Sequence, residues 1–149
     1  MTPDRRLVAE AREGLALAGV GDLLQDKQDY RQALDGLPAA MPRLLLSHNP
    51  DVAEEAGLVR SGLRVDLMLS GHTHGGQLPY LPTVRSRYGQ KYVRGLVQGP
   101  VCPVFVCRGI GMVRLPLRLR VPPEIAVIEL RAAPASAEGQ NPCLSSCLV

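Results

Sequence analysis

At 149 residues the chain is the size of one domain and long enough to bury a core. Its 46% hydrophobic content fits a globular protein, and a single Phe with no Trp leaves that core aliphatic. The net charge of +3 is spread thinly, almost wholly as arginine, with no dense basic block and interleaved aromatics, which argues against nucleic-acid binding. No run of about 18 apolar residues is present to span a membrane, and Met1-Thr2-Pro3-Asp4-Arg5-Arg6 lacks the apolar core of a signal peptide, so a cytoplasmic protein is expected, with membrane association through a missing amino-terminal segment as the alternative.

In chain order, Arg5 to Arg12 reads as a short polar helix or an edge strand. Gly14 to Val20 is a short apolar strand closed by glycine. Asp29 to Leu37 reads as a helix, since Asp29 can cap it and Tyr30, Ala33, Leu34 and Leu37 recur at three and four; Pro38 and Pro42 end it. Leu44-Leu45-Leu46 is a strand running into Ser47-His48-Asn49-Pro50, where the proline forces a turn. Asp51 to Val59 is expected to be a helix returning the chain to a further strand, Val65 to Ser70. Strand, helix and strand make a βαβ unit with parallel strands and a right-handed crossover. Beyond it the texture is mainly β, with strands expected at Tyr92–Val97, Val104–Cys107 and Ile125–Leu130 between Gly and Pro turns. The proline-rich 78–83 reads as a loop, and Ala132 onward as a disordered tail, leaving 1–131 as the structured part.

All three histidines sit at the ends of two of these strands. His48 follows the first, and His72 and His74 follow the second within Ser70-Gly71-His72-Thr73-His74-Gly75-Gly76-Gln77. In a βαβ unit both strand ends lie on one edge of the sheet, where open α/β sheets place ligands. A backbone extended through Thr73 would send His72 and His74 out on the same face. Neutral imidazole is a common transition-metal ligand, so His48, His72 and His74 are candidate metal ligands; hydrogen bonding to backbone is the alternative for each. The four cysteines make no Cys-x-x-Cys pair and read as buried or idle thiols. Ser47 and Ser70 have no histidine placed to activate them, so serine-nucleophile chemistry is not expected.

Ser47-His48-Asn49-Pro50-Asp51 followed by Leu69-Ser70-Gly71-His72-Thr73-His74-Gly75-Gly76-Gln77 resembles the last two motifs of the calcineurin-like metallophosphoesterases. The match is to their bacterial phosphodiesterase branch. Tyr92-Val93-Arg94-Gly95, Arg108-Gly109-Ile110-Gly111, Pro116-Leu117-Arg118 and Pro122-Pro123-Glu124-Ile125 resemble the same branch, as does the Gly14–Val20 strand with Asp22 as the acidic residue after it. The resemblance implies the carboxyl-terminal half of an αββα sandwich, a βαβ unit followed by mainly β structure. It also implies a phosphoester hydrolase acting through a metal-activated hydroxide. Two divalent ions (Mn, Fe, Zn or similar) would be held, with His48 and His72 on one and His74 on the other. Implied substrates are small phosphoesters, phosphodiesters or lipid-linked sugar nucleotides. Gln77, which follows the metal motif in that branch, and Arg108 are candidates for contacting substrate; Arg85 and Arg87 could also meet a phosphate, with turn or surface roles as the alternatives.

The family's earlier motifs, Asp-x-His, Gly-Asp-x-x-Asp and Gly-Asn-His-Asp/Glu, would precede residue 1, and with them the bridging carboxylate. Asp51 and Asp66 are poor substitutes, one at a helix start and the other at a strand start. Three neutral imidazoles divided between two ions fall short of a complete catalytic ligand set, so the chain alone is expected to be inactive and at most partly metal-loaded. The alternative reading is a non-catalytic metal-binding or interaction module. Half of a sandwich would expose an apolar face or edge, so self-association is also expected.

Overall fold

A computed structural model describes residues 9–10, 14–77, 90–113 and 115–131. Its strands are β1 (Ala9–Glu10), β2 (Ala16–Gly19), β3 (Arg43–Leu46), β4 (Leu67–Ser70), β5 (Gly95–Gln98) and β6 (Pro103–Val106). They form one sheet in the order β1-β2-β3-β4-β6-β5. The four middle strands, β2, β3, β4 and β6, are mutually parallel, and the edge strands β1 and β5 are antiparallel to their neighbours. The mixed α/β fold with a mostly parallel sheet is the architecture expected from the sequence.

Short apolar runs make these strands because each side chain can be buried in turn. On one face Ala18, Leu45, Met68, Val104 and Val106 form the core with Tyr30, Ala33, Leu34, Val52, Ala53 and Leu58 from the helical segments. Full burial of a leucine or methionine such as Leu45 or Met68 contributes about 1.5–3 kcal/mol. Successive residues alternate faces, so the opposite side of the sheet carries Leu17, Leu44 and Leu67 in one register row, and Leu46, Leu69, Phe105 and Leu96 in the next. Of these only Leu44 is fully buried, and Leu96 is 58% exposed.

Helix α1 is shorter than the periodicity predicts, Tyr30–Leu34. Asp29 caps it as expected, its Oδ1 accepting from the Gln32 N–H at 2.9 Å. Gly36 adopts φ +72° and takes the chain out of the helix before Leu37 is reached. The helix expected over Asp51–Val59 is two pieces, a 3-10 turn Pro50–Glu54 capped by Asn49 and then α2, Ala56–Val59. Val52, Ala53 and Leu58 are all buried. Val52 and Leu58 are six residues apart and would sit roughly 120° apart round a continuous helix. The non-helical backbone at Glu55 (φ −58°, ψ 126°) re-aims the second piece so that both face the sheet.

Two strand expectations change. The strand expected from Tyr92 begins only at Gly95, because Tyr92 and Val93 are held by the site loops described below. Ile125–Leu130 is not a strand. Glu124 N–H is bonded to Gly109 O at 3.0 Å, and beyond it no described strand lies alongside to pair, leaving Ile125 and Val127 82% and 93% exposed. Of 5–12, the described residues Ala9–Glu10 take the edge-strand alternative. Cys102 is buried, which pushes its thiol up to about 11, and Cys102 and Cys107 are both free. Loop 78–83, Arg85, Arg87, the tail from residue 132 and its two cysteines, Cys143 and Cys147, lie outside the described residues.

Candidate metal centre at the strand ends

The parallel strands β2, β3, β4 and β6 all end on one edge of the sheet. Asp22, His48, His72 with His74, and Arg108 follow them in the chain. The β3 and β4 ends stay joined past the ladder: Ser47 N–H donates to Leu69 O at 3.1 Å and Gly71 N–H to His48 O at 3.2 Å. The His48 side chain is exposed, between buried Ser47 and Asn49. Ser47 Oγ donates to Asn49 O, and Asn49 Oδ1 accepts from Asp51 N–H, so the loop is fixed on both sides of the imidazole.

After β4 the backbone does not stay extended, and the side-by-side projection of His72 and His74 is not what forms. His72 and His74 take left-handed conformations, φ 63° and 49°, followed by Gly75 and Gly76 at φ 66° and 73°. Such φ values on non-glycine residues cost of order 1–3 kcal/mol and persist only where surrounding contacts hold them. Here Thr73 supplies the hold from inside the turn, its Oγ1 accepting from Gly75 N–H and donating to Val93 O at 2.6 Å. Gly75 is required for space as well. A Cβ there would lie 2.5 Å from Arg108 Cγ and 2.7 Å from Val121 Cγ1.

This geometry brings His72 Nδ1 to 3.1 Å from His48 Nε2, with the rings edge-on at 82°. Two nitrogens bound cis to one ion at about 2.0–2.1 Å and roughly 90–109° lie about 2.9–3.4 Å apart, so the pair fits one shared cation as well as one shared proton. Burial holds His72 below the ordinary imidazole range, helped by the neighbouring His48 charge and opposed by Asp22. That favours the neutral form a metal requires. His74 is bonded elsewhere, its Nδ1 lying 2.9 Å from Gly111 O. Among the described residues no three His, Cys, Asp or Glu side chains converge on one ion position. The histidines therefore fit as part of a ligand set.

The carboxylates near the site have structural work. Asp51 accepts from the backbone N–H groups of Lys91 and Tyr92, and Glu54 accepts from Lys91 Nζ and the Tyr92 hydroxyl. Segment Lys91–Val93 is thus a crossbar, tied by Asp51 to the loop of His48 and by Thr73 to the loop of His72 and His74. Asp66 lies at the other end of the strands, accepting from Arg43 N–H at 2.8 Å and pairing with Arg64. Asp22 accepts from Leu24 N–H at 2.9 Å and is near enough to act on His72.

Gln77 is buried, and its amide is committed to backbone. Nε2 donates to Val113 O and Leu115 O, and Oε1 accepts from Val113 N–H. Arg108 is half-buried and engaged by Glu124 through both its guanidinium and its backbone N–H. Reading the sequence missed the role of Arg118, whose guanidinium reaches five backbone carbonyls, including that of His74. Its signal was present in Pro116-Leu117-Arg118, a matched stretch with no chemistry assigned to it.

No family profile and no solved structure matches the chain. Among curated proteins, an uncharacterized metallophosphoesterase, YkuE of Bacillus subtilis, is 39% identical over 121 residues, covering 79% of this chain and 41% of that protein. Phosphodiesterase YaeI of Escherichia coli is 36% identical over 131 residues, 83% of this chain and 44% of its own length. A bovine transmembrane protein with metallophosphoesterase domain is 33% identical over 133 residues, 84% of this chain and 29% of that protein. The chain thus spans less than half the length of these relatives. With its parallel sheet and with relatives of this kind matching about four-fifths of its residues, the chain belongs to the metallophosphoesterases.

Proposed function

We propose that this chain is the carboxyl-terminal portion of a metal-dependent phosphoester hydrolase of phosphodiesterase type, and that His48, His72 and His74 are its metal ligands. The observation that carries the reading is the 3.1 Å approach of His72 Nδ1 to His48 Nε2 at adjacent parallel strand ends. A divalent cation such as Mn²⁺, bound there, supplies Lewis-acid polarisation of water and of a phosphoryl oxygen. The chain's own residues hold and orient. Asp51 and Thr73 fix the loops that carry the histidines, and desolvation lowers the His72 pKa, which favours its neutral form. Gln77 ties the backbone of Val113 and Leu115 to the end of the histidine loop, and Arg108 would meet a phosphate only by exchanging Glu124 for it.

The substrate class is a phosphodiester, free or lipid-linked. YaeI is named a phosphodiesterase, which supports the reaction type. The bovine relative's name states a transmembrane character for that protein; no described helix of this chain is long and apolar enough to cross a bilayer. The remaining ligands and carboxylates would also come from elsewhere, so the chain by itself binds metal weakly and turns over little or nothing. Mn²⁺ titration and chromogenic phosphodiester hydrolysis, run beside His72→Ala, test this. Binding lost in the variant supports the reading, and hydrolysis lost with it would show a complete site. Binding indifferent to His72 removes the reading.

A second reading has its own observation. The rows Leu17-Leu44-Leu67 and Leu46-Leu69-Phe105-Leu96 make an apolar sheet face that no described helix covers. An interaction module would use this face, and the isolated chain would self-associate through it.

A further inference from the structure

We propose that Arg118 is a positioning residue that selects the tautomer of His74. The guanidinium is half-buried and spans three separate stretches of backbone, at His74, Arg108–Gly111 and Val121. Nη2, with two hydrogens, serves three carbonyls by sharing one of them, Arg108 O at 3.0 Å, Gly109 O at 2.9 Å and Gly111 O at 2.5 Å, while Nη1 lies 3.4 Å from His74 O and 3.5 Å from Val121 O. A planar fork of donors with no acceptor suits such a ring of carbonyls, and a lysine ammonium cannot cover it.

Arg118 meets His74 at both ends. It holds the carbonyl of His74, a residue whose φ of 49° needs outside support, and it holds the Gly111 carbonyl on which the His74 ring rests. A carbonyl oxygen has two lone pairs and no hydrogen, so Gly111 O can accept from Arg118 and from His74 together. Since Gly111 O cannot donate, the hydrogen of that contact belongs to His74 Nδ1, and Nε2 is left with its lone pair. Gly111 is close to the ring as well, with a Cβ there falling 3.3 Å from His74 Cε1. The ring is therefore pinned on one nitrogen and open on the other, which is how a ligating histidine is oriented from behind.

The consequence for metal binding rests on the proposed function, but the tautomer itself does not. The test uses the full 149-residue chain, metal-free, ¹⁵N-labelled in histidine, at about pH 8 where an ordinary imidazole is neutral. Long-range ¹H–¹⁵N spectra report the tautomer, and the His74 signals are identified by their loss in His74→Gln. The wild type is expected to show Nδ1–H. Arg118→Lys is expected to move His74 toward the mixture of tautomers of a freely solvated ring, with the other two histidines unchanged. Should Arg118→Lys not fold, Arg118→Gln is read in the same way. An Nε2–H wild type, or an Nδ1–H form unchanged in the folded variant, overturns the proposal. So does unfolding of both variants, since Arg118 would then serve the fold at large. Mn²⁺ titration separates the two ideas: a 10–100-fold weaker affinity in the folded variant is expected of an outer-shell change. Absence of any Mn²⁺ binding by the wild type would count against the metal reading while leaving the tautomer result to stand.

Discussion

His72 Nδ1 stands 3.1 Å from His48 Nε2, across two loops that leave neighbouring parallel strands and are joined main chain to main chain by Gly71 N–H and His48 O. If one cation bridges these nitrogens, neither imidazole can keep it alone. His48→Ala and His72→Ala are each expected to weaken Mn²⁺ or Zn²⁺ affinity at least about tenfold, and the double variant little more than either single one, because groups acting on one ligand are not additive. Isothermal titration of the three variants reads this directly, and additive losses would place the two rings on different ions.

Gly75 carries the sharpest steric constraint in the site. Both φ 66° and the 2.5 Å approach of a would-be Cβ to Arg108 Cγ oppose any side chain there. Gly75→Ala is expected to destabilise by about 2–4 kcal/mol, combining backbone strain with overpacking. At Gly71 a Cβ would meet nothing within 4 Å. Gly71→Ala is therefore expected to fall within about 1 kcal/mol of wild type. Urea unfolding of the pair separates a local steric cause from a general need for glycine.

The crossbar Lys91–Val93 depends on acceptors from both loops. Asp51→Ala leaves the N–H groups of Lys91 and Tyr92 without their acceptor, with an expected loss of about 1–3 kcal/mol. Asp51→Asn keeps an acceptor oxygen and should lose less. Amide hydrogen exchange should quicken first at residues 91–92 and then in the loops of His48 and His72, whereas quickening spread evenly over the sheet would deny the crossbar a local role.

The Arg108–Glu124 pair has a definite pH dependence. Hydrogen bonds from Arg108 hold Glu124 below the usual carboxylate range. A depressed folded-state pKa contributes stability that is present above the unfolded value of about 4.3 and is lost as pH falls through the folded value. Acid titration of thermal stability should show this loss below about pH 4.3, and Glu124→Gln should remove that part of the slope. An unchanged slope would place the acid sensitivity elsewhere.

The amino-acid sequence by itself determined the two strands that lead to the histidines, their parallel pairing and the edge on which the histidines gather. Apolar runs such as Leu44–Leu46 and Leu67–Leu69 encode burial locally, and the βαβ connection then fixes which ends meet. The Asp29 cap was equally legible, since its partner Gln32 is three residues away. What only the tertiary structure decided depends on distant partners. The left-handed turns at His72 and His74 are imposed by Thr73 reaching Val93 and by Arg118 reaching the His74 carbonyl, contacts that no local pattern encodes. The ring of His74 meets a carbonyl 37 residues later, and Gln77 meets one 38 residues later. The same cause explains the miss at Ile125–Leu130. Alternating apolar residues make a strand only where a neighbouring strand offers its hydrogen bonds, and among the described residues none does.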